Sequence, residues 1–541
     1  MERIERNRYS GEDSRERDTL RHILLSVDTV TKRIDETSED FDSRRSSFSR
    51  ALLPLMNIPQ WICCLILVGG LVGGALVPTS AMAQRADWKE ALNISTSLYA
   101  TGASDDQLPF WLASNQHGIF GRDATSGAFE TTVLLPPRQD RLFDLSAGAE
   151  VVARGSDRST FYIHQLYGRL HAGPIRLTAG RKEYIQGIVD TTLSIGGTTW
   201  SRNAAPVPAV RAEIPSYLSV PGTRDFLAIR GTFAHGWFEG DRFVSSPWLH
   251  EKQFYVRLLP ERAPVQLHGG VIHNVMWGGT HPTEGELPSD FEAFKNVVFP
   301  TQLDEEEADQ FEQETAGSGV GNHVAAYDVA LTTEIEDIGV RLYRQFYIET
   351  SGARQLRNVW DGLWGVNLFR ASESGIVDRV LYEHLRFVRQ NAVWGAEGRR
   401  GRKGRVKYYN NFVYESGWTH EGRVLGSPLA LTKQDAPGFV SNENALPVIN
   451  NIIVANHLGV AGAIGGGWRY RSLLTYSRNH GMLNNPQPRT DQFSGFFQAS
   501  GPVLGQPSLQ VTVSLSADLG GVFADRFGGR VGLSWTPLRA K

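Results

Sequence analysis

From Gln84 onward the chain keeps returning to runs of about ten residues in which apolar and polar side chains alternate, separated by clusters of Gly, Pro, Asp and Asn. Between Ser508 and Leu519, the residues Leu509, Val511, Val513, Leu515, Ala517 and Leu519 alternate with Gln510, Thr512, Ser514, Ser516 and Asp518. Phe143, Leu145, Ala147, Ala149 and Val151 alternate likewise with Asp144, Ser146, Gly148 and Glu150, and the pattern recurs around Val256 and Val340. Period two puts one set of side chains on each face of an extended strand. Strands of a soluble sandwich average only about five or six residues, whereas some runs here reach the length that crosses a bilayer. Lipid leaves no water for unpaired backbone groups, so strands cross it only as a closed barrel.

Strand starts are predicted near Ala91, Gly127, Leu142, Ser159, Pro174, Val207, Asp225, His250, Ala263, His323, Asp337, Gly362, Val377, Asn450, Trp468, Asp491, Ser508 and Phe527. The expectation is an all-β chain, a single transmembrane antiparallel β-barrel of about eighteen strands over residues 84–541, with long extracellular loops. Two long interruptions stand out, Gly278–Asn322 with an acidic run at Asp304–Glu307, and Gln390–Ile449 with a basic run at Arg399–Lys407. Tyr99, Trp200, Trp237, Trp277, Trp394, Trp468, Tyr476 and Trp535 fall near strand ends and fit interfacial girdles.

One long apolar stretch precedes the barrel. Residues 58–83 end in Ala81-Met82-Ala83, a small-x-small site, and read as a signal peptide cleaved after Ala83. The alternative is a transmembrane anchor, against which stand Gly69, Gly70, Gly73, Gly74, Pro59 and Pro78. Residues 1–57 read as a charged leader or as the product of a start placed too early.

Composition narrows the function. The formal charge is -3, with Arg and Lys scattered, so the chain lacks the basic signature of a nucleic-acid binder. Cys63 and Cys64 are the only cysteines and both lie in the apolar segment, which excludes zinc-thiolate sites and cysteine nucleophiles from the mature chain. There is no Gly-x-Ser-x-Gly, and His250-Glu251 is followed by Phe254 where a zinc helix needs a second histidine. No enzyme, metal site or cofactor is expected.

The polar strand faces carry His164, Gln165, Arg169, Arg181, Lys182, Glu183, Arg230, Lys252, Arg257, Arg341, Arg344, Arg386 and Arg389. Facing the lumen, they would make it rich in arginine, whose fork matches carboxylates of acidic sugars. The alternative is that they pair with Glu150, Glu183, Glu213, Glu334, Glu349 and Glu383 and rigidify a plugged lumen.

Several motifs in order carry a resemblance. Leu108–Gly118 (LPFWLASNQHG), Gly180–Glu183 (GRKE), Trp200–Ala204 (WSRNA), Gly270–Asn274 with Trp277-Gly278-Gly279, Tyr408–Asn411 (YYNN), Ser416–Thr419 (SGWT) and Gly422–Pro428 together resemble the capsule assembly protein Wzi family. The resemblance implies an outer-membrane β-barrel lectin, monomeric and seated in outer-membrane lipids, that binds and anchors capsular or exopolysaccharide. A helical plug at the periplasmic end, as in the enterobacterial member, has little room between Gln84 and the first strand, so any plug must come from elsewhere. Candidate polysaccharide contacts are Arg202, Asn203, His273, Asn274, Trp277, Tyr409 and Trp418, the aromatic faces stacking on sugar rings and the polar groups bonding hydroxyls or carboxylates. For each the alternative is a structural role in closing loops over the barrel. The rival function is an outer-membrane diffusion channel for small solutes, which an open lumen would favour.

Overall fold

The computed structural model describes residues 92–538, apart from 139–141, 156–159, 300–319, 350, 355, 357, 373, 391–406, 441–445 and 484. The leader and the apolar segment at 58–83 lie outside the described residues, as do the acidic run at 304–307, all but Lys407 of the basic run, and Trp394.

Eighteen strands form one sheet. In chain order they are β1 (Asn93–Ala103), β2 (Ser126–Leu135), β3 (Phe143–Gly155), β4 (Thr160–Ala172), β5 (Ile175–Arg181), β6 (Pro208–Ser219), β7 (Leu227–Trp237), β8 (Trp248–Leu258) and β9 (Val265–Trp277). There follow β10 (Asn322–Ile335), β11 (Ile338–Ile348), β12 (Gly362–Arg370), β13 (Arg379–Phe387), β14 (Ile453–Gly465), β15 (Trp468–Met482), β16 (Asn485–Val503), β17 (Gln506–Gly520) and β18 (Arg526–Leu538). Each pairs antiparallel with the next, and β18 pairs back onto β1 (Tyr99 opposite Gly532), so the sheet closes. The start furthest from expectation is that of β16, at Asn485 rather than Asp491. Among the described residues no helix is long and apolar enough to cross a membrane.

Alternation sets the wall. In β17, Val513, Leu515 and Leu519 are exposed on the outside while Ser514, Ser516 and Asp518 are buried within. Phe143, Leu145, Phe161, Leu177, Phe233, Phe254, Val366, Leu474 and Leu533 continue the apolar outer band, the surface that lipid accepts. The connections at the end that also carries both described termini are all short, and two of them, Gly466-Gly467 and Leu504-Gly505, have positive φ at both central residues. That is the type I′ geometry whose twist matches a hairpin. Every long connection, 104–125, 182–207, 278–321 and 388–452, leaves the opposite end, which is the extracellular end by the usual asymmetry.

Tyrosines cover cross-strand glycines inside the wall. Tyr167 lies opposite Gly148, Tyr255 opposite Gly270, Tyr343 opposite Gly365 and Tyr99 opposite Gly532. A Cβ on Gly365 would sit 2.0 Å from the Tyr343 ring. Glycine there is a packing requirement, the ring taking the place of the missing side chain.

The main hydrophobic core lies inside the barrel. Phe110, Trp111, Leu112, Leu193, Ile195, Trp200, Tyr408, Tyr409, Trp418 and Leu425 join inward wall residues such as Tyr255, Tyr347, Leu381 and Phe387 in a single buried cluster. The contributing segments are 104–125, with its one-turn helix α1 (Phe110–Ala113), 182–207 and 407–440. They are extracellular connections folded back into the lumen. The connection 278–321 behaves differently: its helix α2 (Phe291–Val298) lies on the outer wall, where Ala293 and Val297 pack on Val275 and Trp277.

Candidate functional site

An irregular segment inside a barrel brings backbone N–H groups away from water, and each must be satisfied. The wall supplies the acceptors. Asp518 accepts from the Phe110 N–H at 2.8 Å, Asp328 from Ile188 at 2.9 Å, and Gln345 Oε1 from Thr198 at 2.9 Å. Glu383 takes the Ile195 N–H at 2.8 Å and the Ser194 hydroxyl at 2.7 Å. At the rim, Asp361 accepts from the N–H groups of Val388, Arg389 and Gln390 and from the Tyr408 hydroxyl, and Glu349 accepts from the Tyr409 N–H at 2.9 Å. These bonds fix each inward segment to a particular strand.

Of the expected arginines, Arg181, Arg257 and Arg386 form ion pairs, with Glu421, Asp225 and Asp361 rather than with the carboxylates expected, and several other arginines are paired as well. Arg211 binds Glu251 at 2.9 Å, Arg257 binds Asp225 at 3.1 Å, Arg379 binds Asp190 at 3.1 Å and Arg526 binds Asp518 at 2.9 Å. Of the expected acceptors, Glu213 meets Arg176 only at 3.8 Å, while Glu349 and Glu383 serve backbone donors instead. Lys252, Arg344 and Arg386 are not luminal. Each shares a face with an outward residue of its strand (Phe254, Leu342, Tyr382), and Lys252 donates to the Val298 carbonyl of α2. Arg211 also stacks over Tyr184 at 3.6 Å and Arg230 over Tyr255 at 4.4 Å, lining a luminal cavity of about 200 Å³ with Glu213, Glu251 and Gln253. Arg423 is wholly enclosed and donates to the carbonyls of Ala113 and Phe120, its pKa lowered to about 9 by burial.

Of the seven proposed polysaccharide contacts, six are buried and engaged within the protein. The Trp418 indole is 0% exposed, donates to the Thr199 carbonyl at 2.9 Å and meets Trp200 and Phe238 edge-on. Tyr409 is equally enclosed, its hydroxyl on the Thr198 carbonyl. Asn203 donates to the Val424 carbonyl at 3.0 Å, and Asn274 exchanges two 2.9 Å bonds with Gln186. His273 and Trp277 lie on the outer wall around α2, His273 against His323 at 2.9 Å and Trp277 against Trp248. Arg202 alone is part-exposed, with burial lowering its pKa against the pull of Asp190 and Glu183. None of the six presents a face or edge to an external ligand in this arrangement, because a loop that fills a barrel buries the residues it needs for packing. Two residues expected in interfacial girdles are also internal: Tyr99 covers Gly532 and Trp200 stacks on Tyr184.

Part of the exposed extracellular surface is made by 238–247 and 407–440, joined by Glu239, which takes Arg242 at 2.7 Å and His420. Arg242 also reaches the carbonyls of Thr419 and Gly417. Phe243 and Phe412 are the large apolar side chains exposed on these two segments, with Lys407 4.1 Å over the Phe412 ring. Sequence reading missed both. Their only signal was an aromatic residue in a polar, glycine-bearing stretch.

A closed antiparallel barrel with an apolar outer band, short turns at one end and long connections at the other defines an outer-membrane β-barrel, here with a filled lumen. The model of the capsule assembly protein Wzi family matches residues 92–438, more than half of the chain, and the chain belongs to that family. Among solved structures it is similar to Wzi of Escherichia coli, described as an outer-membrane protein involved in group 1 capsule assembly and a carbohydrate-binding β-barrel. The identity is 13%, the match covers 81% of this chain and 83% of that one, and the TM-score is 0.51. Pseudomonas aeruginosa OccK3 matches at 10% identity over 83% of this chain and 96% of that one, with a TM-score of 0.41. No curated protein matches the chain.

Proposed function

We infer that this chain is a surface lectin of the outer membrane that binds and anchors capsular or exopolysaccharide during capsule assembly, acting as a monomer without catalysis. The observation that carries the reading is the filled lumen: three extracellular connections occupy it with a buried core tied to the wall by Asp328, Glu383 and Asp518. A diffusion channel needs a continuous passage, and this arrangement argues for the anchor over the channel. Membership of a capsule assembly family and the likeness in fold to a carbohydrate-binding barrel point the same way. The polymer-facing surface is then the cap built by 238–247 and 407–440, not the buried aromatic residues beneath it.

The test is capture of the source organism's own surface polysaccharide by the purified barrel at two salt concentrations, with planar-bilayer conductance measured on the same preparation. Capture without steady conductance supports the lectin. Steady conductance without capture overturns it in favour of the channel.

A further inference from the structure

Beneath the turn that follows α1, the upper lumen gathers three carboxylates and two imidazoles. Glu130 and Glu150 project inward from neighbouring strands β2 and β3, Glu130 opposite Val152 and Glu150 opposite Thr132. A β-bulge then intervenes: Glu150 pairs with Gln165 and Val151 with Ile163, leaving His164 as the extra residue of β4. Ile163 and Leu166 face out, so the bulge turns both His164 and Gln165 into the lumen. Bulges re-aim side chains in this way and are common beside functional sites. His164 Nε2 lies 2.8 Å from Glu183 Oε1, Gln165 donates to Glu150 at 2.6 Å, and His117 Nε2 stands 3.6 Å from the other Glu183 oxygen.

We propose that Glu150, His164 and Glu183, with His117 as a fourth donor, form a binding site for one first-row divalent cation of the Zn²⁺ class. Three observations meet here. Donor atoms of Glu150, His164 and Glu183 all lie within 4.8 Å of one another. A bond of about 2.0–2.2 Å to each requires the most distant of these atoms to close by roughly 1 Å and the His164–Glu183 contact to open slightly, within reach of small side-chain rotations. The His164 imidazole is 0% exposed, and its Nδ1 has no hydrogen-bond partner, a costly state for a buried polar atom. Among the described residues, no lysine or arginine forms an ion pair with Glu130, Glu150 or Glu183. Buried carboxylates are ordinarily paired or bound to metal, and Glu150, the buried one of the three, has the neutral Gln165 amide as its hydrogen-bond donor. Imidazole with carboxylate selects a transition ion over Ca²⁺ or Mg²⁺, which prefer oxygen alone. Bound there, the ion would clamp the inward turn bearing His117 to strands β3 and β4 and so hold the plug in place.

The full barrel in detergent, stripped with EDTA, is titrated with ZnCl₂ by calorimetry, and bound metal is counted by elemental analysis. One equivalent is expected, with affinity reduced roughly 10-fold or more in His164→Ala and in Glu183→Gln and unchanged in His281→Ala on the cap. Absence of uptake by the wild type, unchanged affinity in the two folded variants, or equal binding of Ca²⁺ would each overturn the site. Should His164→Ala lose heat-modifiable gel migration, Glu183→Gln at the part-exposed edge decides. Co²⁺ bound to the wild type gives a second reading: a visible band from low-coordinate cobalt supports the site, and none overturns it.

Discussion

The Trp418 indole N–H donates to the Thr199 carbonyl at 2.9 Å, joining two extracellular connections inside the barrel, 407–440 and 182–207. The indole is also packed edge-on to Trp200 and Phe238. Trp418→Ala therefore removes a large enclosed side chain, at a cost of about 3–5 kcal/mol. Trp418→Phe keeps much of the volume but leaves the Thr199 carbonyl without this donor, at about 1–3 kcal/mol. The expected outcome is a lowered temperature of heat-modifiable gel migration in that order, with conductance appearing in the alanine variant as the plug loosens. An alanine variant as stable and as closed as the wild type would contradict this placement.

Gly365 tests how the wall supports the plug. A Cβ there meets the Tyr343 ring at 2.0 Å, and the Tyr343 hydroxyl donates to Glu383, which also holds the Ile195 N–H. Gly365→Ala must displace the ring and disturb that acceptor, destabilising by about 1–3 kcal/mol. Gly168 has nothing within 4 Å of its Cβ position, so Gly168→Ala should change stability by no more than about 0.5 kcal/mol. Thermal melts of the two variants in one detergent make the comparison.

The wall was legible because it obeys one rule. A strand with lipid outside must alternate, so Leu509 to Leu519 announced a strand with one apolar face, and clusters of Gly, Pro, Asp and Asn separated one run from the next. The lumen followed no period. Residues 182–207 read as a loop because of their Thr, Gly and Pro, yet Ile188, Val189, Leu193, Ile195 and Trp200 are too apolar for an exposed connection and are all buried. That excess was the signal that the loop turns inward. The motifs carrying the family resemblance mark the same region: Phe110 and Trp111, Trp200 and Asn203, Tyr408 and Tyr409, and Trp418 all belong to the plug. These residues fill the lumen, which is why Asn203, Tyr409 and Trp418, chosen from them as sugar contacts, are enclosed.

Acid should open the cap. Burial pushes the Glu239 carboxyl up, but the hydrogen bond from His420 and the charges of His420 and Arg242 outweigh it and hold its pKa at about 2. With the folded value below the unfolded 4.5, its stabilising contribution is complete above about pH 4.5 and is lost as pH falls towards 2. The contact between 238–247 and 407–440 should therefore become more protease-sensitive at pH 3 than at pH 5. Glu239→Gln should remove most of that difference and show the looser cap at both values. A cap equally protected at pH 3 and pH 5 would count against the Glu239 link.

The last expectation concerns the polymer. If the cap is the contact surface, its exposed rings are Phe243 and Phe412, whose faces lie on two different segments held together by Glu239 and by the Phe243 N–H on Ser416 Oγ at 3.0 Å. Carbohydrate recognition by an aromatic side chain depends on an accessible face, and truncating an exposed ring leaves no internal cavity. Phe243→Ala and Phe412→Ala should therefore reduce capture of surface polysaccharide several-fold while moving stability by no more than about 0.5 kcal/mol. Capture by the wild type should weaken between low salt and 0.5 M NaCl, because contacts of an acidic polymer with the exposed Lys433 of the cap are screened over about 8–10 Å at ordinary ionic strength. The measurement is polysaccharide retained on immobilised barrel, with heat-modifiable migration as the folding control. Undiminished retention by the double variant would move the binding surface off these two segments, and the exposed residues of 279–299 and 349–361 would then be the ones to probe.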